Sequence, residues 1–142
     1  MYKLQIMKYS FLVIFFAITS PIFAQKTEDS KIIIKVTDTT ELAQRVRTAL
    51  IRSNFVVKDL PGDTVSTYPK DMRNMNGFMI AFAILSDTTV TISGFYNVRM
   101  MDDFGYTKLR KYYKQVRYFR GSKTWPVLSH IASLIPGTVE YQ

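Results

Sequence analysis

The 142-residue chain has no cysteine, one histidine, one tryptophan and a shortage of acids, with 11 Asp and Glu against 19 Lys and Arg. Without cysteine there is no disulfide framework, no thiolate metal site and no cysteine nucleophile. The same gap excludes a lipid-modified bacterial lipoprotein, which needs a cysteine after its leader. A single imidazole, His130, nearly closes histidine-based catalysis. Glycine-rich phosphate loops, HExxH and nucleophile-elbow motifs are missing too. There is no internal repeat, and the length leaves room for one hydrophobic core.

The one long apolar run lies at the front. Lys8 followed by Phe11 to Ile18, and then Thr19-Ser-Pro-Ile-Phe-Ala24, reads as a secretory signal over residues 1–24. Cleavage is expected between Ala24 and Gln25, with Ile22 an uncommon residue at minus three. Met7 is an alternative start, since a complete leader follows it. The run falls short of the roughly 20 apolar residues of a membrane span, which argues against a retained anchor. Lys3 and Lys8 are the leader's only charges, so the exported remainder keeps seventeen cations against eleven acids. That balance favours solubility and, secondarily, anionic partners. The expected destination is the periplasm or the outside of the cell.

What is present in quantity is β-forming sequence, with 14% aromatic residues. The stretch 78–96 reads as a hairpin turning at Asp87-Thr88. Phe78, Ile80, Phe82 and Ile84 alternate with Met79, Ala81, Ala83 and Leu85, while Val90 and Ile92 alternate with threonine and serine. The expectation is that Phe78, Ile80, Phe82, Ile84, Val90 and Ile92 form the buried face.

Residues 25–30 read as a loose polar lead-in to a strand over 31–37. Asp38 and Glu41 have the spacing of a capping box. A helix to about Ser53 follows, with Leu42, Val46, Ala49 and Leu50 inward and Asn54 as its cap. Strands are expected at 55–58 and 64–68 around the Leu60-Pro-Gly-Asp63 turn, then a tight turn at Asn76-Gly77 and a loop over 98–107. Residues 108–120 fit either helix or strand, and 113–120 is assigned as extended. A closing helix, capped by Ser122 or Thr124, buries Leu128, Ile131, Ala132 and Ile135 beside Trp125. An edge strand at 138–141 ends the chain. The fold class is therefore α+β: a single twisted antiparallel sheet with two helices on one face, in the order β-α-β-β-β-β-α, as one domain over 31–142.

Four groups of residues invite chemistry. His130 shares a polar helical face with Ser129 and Ser133, and no acid lies between Asp103 and Glu140, so an exposed histidine is favoured. Asp102-Asp103 are adjacent in a glycine-containing loop and poorly placed to face each other across a substrate. Met72, Met75, Met79, Met100 and Met101 could gather for Cu(I), but methionine also fills irregular gaps in a core, and that reading is preferred. Lys108, Arg110, Lys111, Lys114, Arg117, Arg120 and Lys123, interleaved with Tyr112, Tyr113 and Tyr118, lack any acid among them. This run suits an anionic surface, although snorkelling side chains on a half-buried strand would read the same.

The element order, the leader and the closing segment from Trp125 to Gly137 resemble small secreted bacterial domains of unknown function. Those domains look like one half of the TATA-box-binding-protein fold. Trp125, Leu128, Ile131, Ala132 and Gly137 carry the resemblance, and the basic stretch 102–120 departs from it. It implies a folded exported domain and no DNA binding, since a shared fold does not carry a shared site. The expectation is a non-enzymatic binding or interaction module with no cofactor. Its partner would be an unknown protein or envelope component, such as an anionic lipid or glycan, and not nucleic acid. The alternatives are a carrier of a small apolar ligand over Met79, Ala81, Ala83 and Leu85, and an acid-only hydrolase.

Overall fold

The computed structural model describes residues 25–101, 107–109 and 113–142. Its elements in chain order are β1 (Ile32–Lys35), α1 (Leu42–Arg52), β2 (Val57–Asp59), β3 (Thr64–Thr67), β4 (Lys70–Met72), β5 (Gly77–Leu85) and β6 (Thr89–Met101). There follow β7 (Thr107–Leu109), β8 (Lys114–Gln115), α2 (Trp125–Ser133) and β9 (Thr138–Tyr141). The strands run β2-β3-β5-β6-β1-β9 across the sheet, with β4 continuing beside β5 and β7 and β8 beside β6. Every pairing among the described residues is antiparallel. Helix α1 packs on β3 and β5, and α2 on β1 and β6. The α+β class with both helices on one face of an antiparallel sheet is as the sequence implies; β9 is the expected closing edge strand, and β4 and β7 are short strands beyond those expected.

The β5–β6 hairpin is the spine of the sheet; Val90 and Ile92 of β6 are buried as expected, but the faces of β5 are the reverse of the expectation. Leu85 pairs with Val90, Ala83 with Ile92 and Met79 with Tyr96. Residues directly opposite each other share a face, so Val90 and Ile92 lie with Met79, Ala81 and Ala83. All five are fully buried beneath the helices. Phe78, Ile80 and Phe82 are only half-buried on the open face, and Ile84 is 51% exposed there. The small alanines let the helices approach. Gly94, opposite Ala81, does the same for α2, because Leu128 Cδ2 and Met79 Cε would each lie 3.3 Å from a Cβ placed there.

Other differences have local causes. Asp38 does not cap α1: it accepts from the Thr40 amide (2.9 Å) and pairs with Arg45, and the helix starts after Glu41, which sits at φ 53°. The lead-in is anchored rather than loose. Asp29 is buried, its carboxylate accepts from Lys26 N (2.7 Å), its carbonyl accepts from Tyr118 N (2.7 Å), and Ser30 N reaches Gln142 O (2.6 Å). The 98–107 segment is not simply a loop, because β6 runs on to Met101 and β7 pairs with its end. Phe55 enters the core ahead of β2 instead of opening a strand. Where Pro69 interrupts β3, Thr67 Oγ1 accepts from Ala81 N (3.0 Å) and bridges the gap before β4 resumes beside β5.

Candidate functional site

The β6 strand is long enough to hold two neighbours end to end along one edge, β1 beside Thr89–Ile92 and β8 beside Phe95 and Tyr96. Only Lys114 and Gln115 of the expected 113–120 strand pair as a ladder. Beyond them, Val116 N donates to Gly94 O (2.8 Å), and Glu28 N donates to Tyr118 O (2.9 Å). Val116 is fully buried. Tyr118 packs edge-on against Trp125, with ring centroids 5.8 Å apart, and Tyr141 lies tilted to the same indole at 6.1 Å. Tyr118 therefore serves packing and does not stand free to stack on a ligand.

The outward residues of this stretch form a basic ridge. Lys114, Arg117, Arg120 and Lys123 are exposed, as are Tyr113 at 40% and Phe119 at 51%. Lys123 Nζ donates to Asn74 O (2.7 Å). Among the described residues, Lys114, Arg117 and Arg120 pair with no carboxylate, whereas Lys35, Arg45 and Arg99 each face one: Glu140, Asp38 and Asp71. Lys108 falls in β7, while Arg110, Lys111 and Tyr112 lie outside the described residues, as do Asp102-Asp103 and the leader with its Ala24–Gln25 junction.

Two concavities open on either side of Phe119. One, of about 340 Å³, is lined by Tyr96, Lys114, Gln115 and Arg117. The other, of about 390 Å³, lies against the first turns of α2 and is lined by Tyr118, Arg120, Trp125, Pro126 and Ser129. Periodicity could not reveal the second, because it joins the entry of α2 to the turn that precedes it.

Met79, Ala81 and Ala83, the residues named for an apolar carrier, are closed into the core, and Leu85 lies half-buried at its margin. The small volume of the two alanines is used by helix packing. Of the five methionines, Met72 and Met79 are buried and Met75 packs against the core, so these three serve packing, while the side chains of Met100 and Met101 lie outside those described. His130 is exposed, and its backbone carbonyl accepts from Ser133 Oγ (2.7 Å). No hydrogen bond or ion pair joins its imidazole to another described residue. Among the described residues, no group of three acidic or histidine side chains is placed to hold a metal ion, and no helix is long and apolar enough to cross a membrane.

Compared with family models, curated proteins and solved structures, the chain matches none.

Proposed function

We propose that the chain is an exported, non-enzymatic interaction module that meets an anionic component of the cell envelope through the ridge from Tyr113 to Lys123. The observation that carries this reading is the set of three exposed cations Lys114, Arg117 and Arg120, which pair with no carboxylate among the described residues and share their concavities with the exposed ring of Phe119. A purely solvating surface intersperses its signs, as this protein does at Lys35–Glu140 and Arg45–Asp38. Cations held apart from acids keep their field available to a partner. Apolar area adjoins them on the open face of the sheet: Gln115 of β8 stands beside Phe95, whose ring meets Phe82 edge-on at 5.6 Å. Exposed apolar surface rimmed by charge marks interaction sites on soluble domains.

The test is co-sedimentation of residues 25–142 with phosphatidylglycerol vesicles and, separately, retention on an acidic polysaccharide. Binding to one of the two is expected, falling as salt rises through the range where the Debye length shrinks below about 10 Å. The Lys114→Glu/Arg117→Glu variant should lose it. Wild-type protein that binds neither at low salt would refute the reading.

A further inference from the structure

The face of the sheet turned away from the helices is more apolar than water requires. An antiparallel sheet with one side solvated alternates apolar and polar residues along each strand, as β6 does from Thr89 to Ser93. β5 does not, and its Ile80, Phe82 and Ile84 all lie on the open face. Phe95 stands opposite Ile80, and Ile33 of β1 opposite Thr91. Val56 and Tyr68 continue the face past the ends of β2 and β3. The Tyr68 amide donates to the Val56 carbonyl (2.9 Å), and Lys58 Nζ lies 5.8 Å from the centre of the Tyr68 ring. Val56, Tyr68, Ile84 and Phe95 are 67%, 52%, 51% and 37% exposed, and they make up half of the exposed large apolar side chains among the described residues. Such a concentration on one face marks an interaction surface. Only the end at Phe78 is covered, by Arg99 at 4.8 Å from that ring, and Arg99 in turn faces Asp71 (3.9 Å).

Large and short side chains alternate from strand to strand across this face. The row of Ile80, Phe82 and Ile84 on β5 is flanked by Ser93 and Thr91 on β6 and by Ser66 and Thr64 on β3. Ile33 of β1 then rises beyond Thr91. With the strands in the order β2-β3-β5-β6-β1-β9, a two-fold axis parallel to them and between β5 and β6 lays β5 of one copy over β6 of the other. It likewise lays β1 over β3 and β9 over β2, so each large row meets a short one. The charges follow the same rule. Lys58 of β2 lies in line with Ser66 and Phe82, while Glu140 of β9 lies in line with Ile33, Thr91 and Ile84, one side-chain step further along. The rotation therefore sets Lys58 of each copy across from Glu140 of the other. Glu140 already holds Lys35 (2.6 Å), and a carboxylate accepts from more than one donor. Six strands about 4.8 Å apart, and a central strand rising about 3.3 Å per residue, make a face of roughly 25 by 30 Å at its longest. That is the scale of the roughly 800 Å² that each partner buries in a standard interface.

We propose that this face is the interface of a two-fold dimer of the chain, with the large row of β5 in each copy lying in the short row of β6 in the other. Sheets packed face to face interleave their side chains about 10 Å apart, and the helices become the two outer layers. The interface is isologous, so the Lys58–Glu140 contact occurs twice. A lipid surface matches the face less well, because it has no fixed rows to fill the short ones and its anionic headgroups would meet Glu140. The dimer uses none of the cations of the Tyr113–Lys123 ridge and stands or falls apart from it.

Sedimentation equilibrium of residues 25–142, which hold every described element, should give twice the mass of the chain with a Kd of about 10–100 μM. Ile84→Lys should raise that Kd at least about tenfold, since it buries an unpaired charge in the dimer. Its circular dichroism should not change, because the side chain is half-exposed in the single copy. Lys58→Glu and Glu140→Lys should each weaken self-association about tenfold by facing like charges twice. Mixed in equal amounts, these two variants should pair with each other about as tightly as the wild type does with itself. That rescue requires the two residues to face each other across the axis. A chain still monomeric at about 1 mM, an Ile84→Lys protein that associates like the wild type, or a mixture no tighter than its components would overturn the proposal. A monomer whose Ile84→Lys form loses binding to phosphatidylglycerol vesicles would overturn it too, and would assign the face to lipid.

Discussion

Leu128 of α2 sits directly over Gly94 of β6, its Cδ2 only 3.3 Å from where a Cβ on that glycine would stand. The same Cβ would lie 3.0 Å from the Ile80 carbonyl oxygen. Gly94→Ala should therefore push α2 away from the sheet, at about 1–3 kcal/mol as overpacked cores show. Gly77→Ala should cost more, because its Cβ would fall 2.2 Å from the backbone oxygen of Asn97 and no side chain can yield. Urea denaturation of both variants gives the order, and a Gly77→Ala protein as stable as Gly94→Ala would contradict the close approach of β5 to β6.

The faces of the central hairpin can be tested through its alanines. Ala83→Leu adds volume beneath the helices and should destabilise by about 1–3 kcal/mol. Ile84→Thr, on the open face, should stay within about 0.5 kcal/mol of the wild type. The opposite ranking in thermal or urea unfolding would mean that the faces are exchanged.

That register was within reach of the sequence. A two-residue turn at Asp87-Thr88 sets Ser86 against Thr89, whose carbonyl accepts from Ser86 N (2.8 Å). Counting back from there places Leu85 against Val90, so the clearly alternating strand β6 assigns the buried face of β5. Read alone, β5 is apolar on both sides, and the larger Phe and Ile side chains suggest the wrong one. Both helices were legible because their stripes repeat at 3.6-residue spacing. The missed cap at Asp38 was not, since Arg45 competes for the same carboxylate. Of the candidate site, the ridge cations follow from the charge run. The second concavity needs the fold to bring Arg120 and Ser129 to one opening, and Tyr118 looks free to stack until Trp125 is placed beside it.

Acid should expose the Asp38–Arg45 contact. The hydrogen bond from Arg45, and then that from the Thr40 amide, hold the Asp38 carboxyl down to about 2. In the unfolded chain it titrates near about 3.9. A depressed folded value adds stability that is complete above the unfolded pKa and disappears as pH falls through the folded one. The contribution of Asp38 should accordingly fade between about pH 4 and pH 2, and Asp38→Asn should flatten that part of the stability curve. Carbon-13 NMR of the side-chain carboxyl gives the midpoint directly, and a value near 4 would show that the pairing with Arg45 is not populated in solution.

At the alkaline end the informative group is Lys70. Its Nζ donates to the Ser53 carbonyl (2.7 Å) just past α1 and lies 4.7 Å from the centre of the Phe55 ring. Burial there disfavours the charged ammonium and lowers its pKa from the ordinary lysine value. The unfolded chain then holds more protons than the folded one between the lowered value and about 10.4, so this residue makes stability rise with pH across that window. Lys70→Arg keeps a charge that does not titrate there and should abolish the rise. Nitrogen-15 titration of the Lys70 ammonium should give a midpoint below that of free lysine. A midpoint at or above it would mean that the carbonyl and the ring compensate fully for the lost water, and the slope would then vanish in the wild type as well.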